Sequence, residues 1–290
     1  MRIVLLYIIL FFPLFHIGQN NASLQLEEDS LISLLDQERI KSIYKETVDQ
    51  NNSFENYLNK VLENDLAFEY PFDSLSKYMS IIKSPDNQFK LFNWNYELVN
   101  EQQSYGCFIM KYNKEEESYS TIKLFDASMY AKDPEFNQYN NKNWYGVLYY
   151  AIIPVKKDKS IYYTLLGWDG NNKFSNKKII ETMSFQNNGN VKFGLPYFTY
   201  PNGKTKRRVI FQYNKQSYMS LKYFKERKEE LIIFDHLIPK SPQLKGMYDW
   251  YVTDLSFDAF KLENNKWVFV GQVNKNSKKE VKNRPYNNPE

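Results

Sequence analysis

The sequence is poor in the residues that build disulfide frameworks and metal sites. It has one cysteine, Cys107, and two histidines among 290 residues. A single cysteine excludes an intramolecular disulfide and any thiolate cage for zinc or an iron–sulfur cluster. Because His16 lies in the N-terminal apolar segment, His236 is left alone and cannot form a histidine-rich metal site. We therefore expect neither a metal ion nor a cofactor.

Glycine loops that bind phosphate are missing as well. The chain has only ten glycines, and neither GxGxxG nor GxxxxGK[ST] occurs, so the usual nucleotide-binding loops are excluded. A net charge of +4 is too small to indicate a nucleic-acid partner. The apolar share of 42% and the charged share of 25% are those of an ordinary folded protein. Tyrosine and phenylalanine are abundant, but so are the other residues with AT-rich codons, and the aromatics alone do not define a binding surface.

The first residues have the pattern of an export signal. Arg2 precedes an unbroken apolar run over residues 3–12, and Gly18 is a small residue at the end of the segment. An apolar region of about 7–15 residues is typical of secretion, whereas a spanning helix needs about 20. We expect residues 1–18 to be removed and the protein to be exported, to the periplasm or the cell exterior. An uncleaved anchor is the alternative. No second long apolar run follows, so no transmembrane segment is expected after cleavage.

The periodicity of the apolar residues divides the mature chain into three parts. Residues 19–84 have helical periodicity and predict a helical N-terminal segment. Residues 85–273 alternate with period two between dense turns, which predicts an antiparallel β-rich domain. Residues 274–290 contain almost no apolar side chain and predict a disordered tail. The predicted fold is α+β and predominantly β, with N-terminal helices packed on a large antiparallel meander sheet or barrel-like body.

Four helices are expected. The first covers residues 31–48, the second begins at an N-cap Ser53, and the third follows Asp73 as far as Ile82. A short helix over 175–182, capped by Ser175 or Asn176, is predicted to interrupt the strands.

Four segments resemble uncharacterised exported bacterial proteins that have a helical N-terminal part and a β-rich body. The segments are SPDNQFKLFNW (84–94), WYGVLYYAIIP (144–154), LLGWDGNN (165–172) and SNKKIIE (175–181). The resemblance covers about two thirds of the chain and implies export and fold. No activity is established for that group, so the resemblance implies no catalytic residue.

A cysteine nucleophile is one chemical hypothesis for this chain. Cys107 would attack, His236 would act as base, and Asp235 or Asp249 would orient the imidazole. The neighbours of Cys107 are aromatic and aliphatic, however, and a reactive thiol needs a polar, partly exposed setting. We expect Cys107 to be a small buried hydrophobe and His236 to be a structural histidine at a strand end.

The segment 167–172 (GWDGNN) is the most distinctive local motif. Asp-Gly between apolar runs predicts a tight turn, with Gly170 at positive φ and a nearly silent Asp169→Asn substitution. The alternative is a Ca²⁺ or sugar site, in which Asp169, Asn171 and Asn172 provide oxygen atoms beside the face of Trp168. We take Trp168, Asp169, Asn171 and the aromatic Trp250 as the candidate binding residues.

Acidic and basic clusters suggest two further hypotheses. Asp249, Asp254 and Asp258 are flanked by aromatics and could provide a glycosidase pair, which needs two carboxyl groups about 5–9 Å apart. The basic segments 204–208 and 222–228 are interpreted as solvated strand edges and turns.

The sequence favours a non-catalytic binding or structural module of the cell envelope or the secreted fraction, leaning away from an enzyme. Its partner would be a glycan or a peptide held on a tyrosine and tryptophan face. The alternative is a carboxylate-based hydrolase of envelope polysaccharide, for which Asp169, Asp249 and Asp254 are the first candidates.

Overall fold

A computed structural model describes residues 14–49, 51–158, 160–227 and 229–273. It contains two α-helices, α1 (Leu14–Ser42) and α2 (Ser53–Val61). The strands in chain order are β1 (Ser80–Lys83), β2 (Phe89–Glu97), β3 (Gln103–Asn113), β4 (Ser118–Phe125), β5 (Tyr139–Asn140), β6 (Leu148–Lys157), β7 (Ser160–Asp169), β8 (Ser175–Phe185), β9 (Val191–Phe193), β10 (Phe198–Thr199), β11 (Thr205–Lys206), β12 (Arg208–Asn214), β13 (Leu221–Glu226), β14 (Glu229–Pro239), β15 (Tyr251–Glu263) and β16 (Lys266–Val270).

Two predicted segments fall wholly or partly outside the described residues. The expected tail lies outside them, as do residues 1–13 of the expected signal. The expected cleavage position after Gly18 falls within α1. Within the described chain, no helix is both long enough and apolar enough to cross a bilayer.

The strands form three sheets. The first has the order β1-β2-β3-β4, and the second has the order β5-β9-β8-β7-β6 with β12 paired to β8. The third has the order β11-β10-β16-β15-β14-β13. Among the described strand pairs only β10–β16 is parallel. One of the sheets is curled and forms a half-barrel. The predicted fold class, α+β and predominantly β, is confirmed, with the β-rich body divided over three sheets.

The alternation of side chains along β2 shows how the layers stack. Phe92 and Trp94 face the helices, with which they share one core. Phe89 and Leu91 point the other way, into a core shared with the second sheet. The opposite face of the second sheet packs on the third through residues such as Leu166. The order of layers is therefore helices, first sheet, second sheet, third sheet, and the second sheet is covered on both faces.

The N-terminal helices differ from the prediction in their bounds. α1 ends at Ser42, before the predicted end at residue 48. α2 begins at Ser53, but its N-cap is Asn52, whose Oδ1 accepts the Glu55 amide at 3.0 Å. The predicted third helix is wrong, because that stretch contains only a short 3-10 turn, Leu75–Lys77, followed by strand β1. Pairing of β1 with β2 overrides the local helical spacing.

The helix predicted over 175–182 is also wrong. The segment is the first part of β8, which pairs with β7 on one edge and with β12 and β9 on the other. The apolar pair Ile179–Ile180 suits an amphipathic helix, but in β8 these residues face opposite sides of a sheet that is buried on both faces. The charged neighbours Lys178 and Glu181 are buried too, at 3% and 0% exposure. Tertiary pairing therefore decides the local structure.

We expect the stability of the helix–sheet contact to depend on pH through Glu55. Burial raises the pKa of Glu55, and the Lys123 ammonium 2.7 Å away lowers it. Burial has the larger effect, and the resulting pKa is about 7. A raised folded-state pKa contributes stability that is complete below the unfolded value of 4.5 and is lost as the pH rises through 7. The stability of the wild type relative to Glu55→Gln should therefore fall by about 3 kcal/mol between pH 4.5 and 8. Urea unfolding of both proteins across this range measures the difference, and a difference that does not vary with pH contradicts the prediction.

Candidate functional site

A cleft of about 510 Å³ lies along β12, and we call it the β12 cleft. One end is bounded by the loop 133–136 and the other by Tyr248 of the 3-10 turn Tyr248–Trp250. The lining residues are Asp133, Pro134, Glu135, Phe136, Tyr145, Lys177, Tyr200, Lys206, Val209, Ile210, Phe211, Gln212 and Tyr248. Five of them are aromatic, and two of these, Phe136 and Tyr248, are more than half exposed. Concave sites with aromatic walls and a few polar groups are the usual place for a ligand.

The loop 133–136 is held against the start of β12 by Glu135. Its carboxylate binds the Lys206 ammonium at 2.6 Å and accepts the Ile210 amide at 3.2 Å. The Glu135 carbonyl accepts the amides of Arg207 and Arg208 at 2.8 and 3.3 Å. This end of the cleft is therefore fixed by both the side chain and the backbone of one residue.

The other end of the cleft is fixed by the carboxylate of Asp249. Gln212 Nε2 donates to Asp249 Oδ1 at 2.6 Å and to Ser175 Oγ at 3.0 Å. Asn214 Nδ2 donates to the Asp249 carbonyl at 2.8 Å. These bonds pack the Tyr248–Trp250 turn on β12 and leave Tyr248 as a wall of the cleft.

A buried ion pair lies beside the cleft. Arg208 Nε donates to Glu181 Oε2 at 2.8 Å, and both side chains are fully buried. Arg208 Nη1 also donates to the Pro134 carbonyl at 2.5 Å. The rings of Tyr139 and Tyr145 lie 4.9 and 5.0 Å from the guanidinium carbon, within cation–π distance. The pair thus supports the loop that bounds the cleft and the ring of Tyr145, which lines it.

The second oxygen of Glu181 is also occupied. The Tyr149 hydroxyl donates to Glu181 Oε1, and Trp144 Nε1 donates to the Tyr149 hydroxyl at 2.8 Å. Burial, and then the Glu181 carboxylate, raise the pKa of Tyr149 well above its usual value, so the phenol keeps its proton and donates. Both oxygens of this carboxylate are therefore used by the fold.

Tyr145 has a hydroxyl group that the fold does not use. The residue is only 4% exposed and lines the cleft. Within the described chain its hydroxyl has no hydrogen-bond partner, and it is not among the enclosed unpaired atoms, so it is accessible from the cleft. Burial raises the pKa of Tyr145, and the Asp169 carboxylate raises it further. A protonated phenol at this position is a hydrogen-bond donor that a ligand can satisfy.

Asp169 lies at the inner end of a cross-strand row. Asp169, Lys177 and Gln212 are paired across β7, β8 and β12 and share one face. Asp169 Oδ1 accepts the Tyr105 hydroxyl at 2.8 Å and the Asn171 amide at 2.7 Å, and Oδ2 lies 3.4 Å from Lys177 Nζ. The carboxylate therefore anchors the loop between β7 and β8 and sets the position of Lys177 on the cleft.

The predicted left-handed residue of this loop is wrong by one position. Asn171 has φ 47°, and Gly170 is not at positive φ. Gly170 is required for another reason, since a Cβ there would lie 2.8 Å from the Trp168 ring and 2.9 Å from Gln103 Cγ. Asn171 Nδ2 donates to Ser175 Oγ at 2.8 Å, which closes the loop as part of a β-hairpin.

The expectation of a silent Asp169→Asn substitution has to be replaced. Asparagine would lose the charge that faces Lys177, and one of its two side-chain positions would be an NH₂ group. We expect a loss of about 1–3 kcal/mol of unfolding free energy. Urea denaturation of Asp169→Asn beside Asp254→Asn tests this, because Asp254 is exposed and its carboxylate accepts hydrogen bonds from the nearby Ser256. Equal, small losses in the two variants would show that the carboxylate of Asp169 is unimportant.

The structure separates the other predicted candidates. Trp168 is half-buried on β7, and Trp250 is 44% exposed in the turn that bounds the cleft. Cys107 lies in the core between the first and second sheets, and burial raises the pKa of its thiol. His236 is on β14 of the third sheet, so the second sheet stands between it and Cys107. His236 Nδ1 instead contacts Asp258 Oδ2 at 2.6 Å.

The remaining predicted acids and bases have structural partners. Asp235 accepts the Ser220 amide at 2.6 Å, and hydrogen bonds from Ser256 lower the pKa of Asp254. The interpretation of segment 204–208 as solvated is wrong for Arg208, which is 0% exposed. Within the described residues, no three His, Cys, Asp or Glu side chains are grouped as a metal site requires.

No family model, curated protein sequence or solved structure matches the chain.

Sequence reasoning missed the residues that shape the cleft, above all Glu135, Tyr145 and Gln212. Tyr145 lies in an aromatic run whose members look alike in sequence, and only burial distinguishes it. Gln212 had one signal in the sequence, since it is a polar residue between the aromatic residues Phe211 and Tyr213. A polar residue in an apolar strand can mark a sheet edge or a site.

Proposed function

We propose that this protein is an exported, non-catalytic module that binds a ligand in the β12 cleft. The observation that carries the proposal is the Tyr145 hydroxyl, which belongs to a largely buried side chain, is accessible from a cleft with aromatic walls and has no partner in the described chain. A phenol that is held in place by burial of its ring and opens to a cleft can donate a hydrogen bond to a ligand there. Export is supported by the short apolar run over residues 3–12 and the small residue Gly18.

The proposed ligand is uncharged. The charged residues of the lining are two cations, Lys177 and Lys206, and two carboxylates, Asp133 and Glu135, so their formal charges balance. A ligand would therefore meet a nearly neutral field, hydrogen-bonding groups and aromatic rings. Neutral glycans and uncharged extended peptides fit this chemistry.

Binding can be tested with a neutral oligosaccharide panel and a random-peptide phage library. We expect at least one of the two sets to yield a ligand. We expect Tyr248→Ala to lower the affinity for that ligand about tenfold or more, since exposed aromatic side chains contribute much of the binding energy at such sites. Tyr218→Ala is the matched control, because Tyr218 is 66% exposed and does not line the cleft. Failure of both sets, or equal effects of the two variants, would overturn the proposal.

Export has a separate test. Intact mass of the protein recovered outside the cytoplasm should correspond to a chain that begins at about Gln19, as the signal pattern predicts. A full-length cytoplasmic product would contradict this part of the proposal without affecting the cleft.

A polysaccharide hydrolase is the second candidate, because one observation favours it. The acids Asp169 and Asp249 lie at the two ends of the row through Lys177 and Gln212. Each already accepts hydrogen bonds from the fold, and for this reason we favour binding. Assay of reducing ends released from envelope polysaccharide decides between the two: we expect none, and release abolished by Asp249→Asn would establish the hydrolase.

A further inference from the structure

The β12 cleft contains the free edge of a β-strand. β12 pairs with β8 on one side only. In an antiparallel pair, alternate residues direct both backbone polar groups away from the partner strand. The amides of Arg208 and Ile210 bond to Glu135, so these residues point outward, and by alternation Gln212 does too.

Backbone groups in the middle of this edge are left without a bond. Within the described chain, no hydrogen bond satisfies the Ile210 carbonyl, the Gln212 amide or the Gln212 carbonyl. They lie between Glu135 and the Tyr248–Trp250 turn, which occupy the two ends of the edge. The Glu135 carboxylate on the Ile210 amide already stands where the carbonyl of an added strand would be. The gap is therefore shaped for a short stretch of backbone.

We propose that the ligand of the cleft is an extended, uncharged peptide that adds a strand to β12. One of its residues would pair with Gln212 through two backbone bonds, and a later amide would donate to the Ile210 carbonyl. The side chain opposite Gln212 would face Lys177 and Tyr145, and its neighbours would face the opposite side of the sheet. This inference rests on the proposed function, which requires only that the cleft binds something.

A peptide that binds through its backbone accounts for the open edge of β12 better than a glycan does. A glycan needs side-chain donors and aromatic faces, which the cleft offers, but it does not need a row of strand-spaced amide and carbonyl groups. An unprotected edge is also a hazard that proteins usually cover or charge. Here both ends are covered while the middle is open.

The test compares Gln212→Pro with Gln212→Ala. Both variants remove the side-chain bonds to Asp249 and Ser175, but only proline removes the amide. Because that amide points away from β8, proline leaves the β8–β12 ladder intact, as it does on other edge strands. Thermal melting of the two variants checks that they fold equally well.

Peptides selected from a random-peptide phage library on the wild-type protein are the probe. We expect Gln212→Pro to bind them about tenfold or more weakly than Gln212→Ala does, because a backbone bond to the ligand is lost. Hydrogen exchange gives an independent readout, in which the Gln212 amide becomes protected when peptide binds to the wild type. Equal binding by both variants, or no protection, would overturn the inference.

The other outcomes separate this inference from the proposed function. If only neutral oligosaccharides bind, the inference is overturned and the proposed function stands. If the protein dimerises through β12, shown by a concentration-dependent mass that Gln212→Pro abolishes, a second copy is the occupant and the inference is overturned as well. If neither peptide nor oligosaccharide binds, both fail.

Discussion

Replacing Arg208 by methionine is expected to lower the free energy of unfolding by about 3–5 kcal/mol, the usual cost of leaving a buried charge without its partner. Arg208 and Glu181 are both fully buried, and the carboxylate would keep only the Tyr149 hydroxyl. The Pro134 carbonyl would also lose its donor. Urea unfolding followed by tryptophan fluorescence measures the change as a lower midpoint at unchanged slope.

The double variant Arg208→Met, Glu181→Gln is the control. Glutamine has no charge to compensate and still accepts the Tyr149 hydroxyl, so the double variant should recover about 2 kcal/mol of the loss. If the two substitutions instead destabilise additively, the ion pair is not the source of the effect. Surface pairs such as Lys225–Glu230 should contribute far less, about 0–1 kcal/mol.

The same ion pair links stability to the cleft. The guanidinium lies against the Tyr145 ring and holds the Pro134 carbonyl in the loop that bounds the cleft. Arg208→Met should therefore lower the affinity for any ligand that binds in the cleft, even at temperatures where the variant is folded. The buried charge gives the site its shape.

Turns with a local signal were predictable from the sequence. Asn264-Asn265 between two apolar runs is typical of a tight turn, and the structure has both residues at positive φ between β15 and β16. Asn-Gly at Asn202-Gly203 behaves in the same way, with Gly203 at φ 77°. Such turns depend on the backbone preferences of one or two residues, and these preferences can be recognised in sequence.

Features that depend on distant partners were not predictable. β8 has helical spacing, but its hydrogen bonds go to β7, β9 and β12, and no local pattern reports them. Arg208 lies in a basic segment that looks solvated, and its burial follows from Glu181, which is 27 residues away. The cleft has the same origin, since the residues that form it come from five separate parts of the chain, 133–136, 145, 177, 200–212 and 248.

Replacing Lys90 by methionine is expected to cost about 3 kcal/mol, because three backbone carbonyls would be left buried without a donor. Lys90 is 4% exposed, and its Nζ donates to the carbonyls of Ala67, Phe68 and Tyr70 at 3.1, 3.3 and 2.5 Å. The ammonium also lies 5.0 Å from the Phe72 ring. One side chain of β2 thus holds the 3-10 turn Asp65–Phe68 of the N-terminal segment on the first sheet.

The pH dependence of this loss distinguishes Lys90 from a residue that only fills space. Burial lowers the pKa of Lys90 from 10.5 to about 7. A group with a lowered folded-state pKa contributes stability that is complete above the unfolded value and is lost as the pH falls through the folded value. The difference in stability between wild type and Lys90→Met should therefore widen as the pH is raised from 7 to 9. Lys83→Met is the matched control, since Lys83 binds the exposed Glu69 and its loss should be small. If both lysine variants lose the same amount at every pH, the three carbonyl bonds do not hold the N-terminal segment in place.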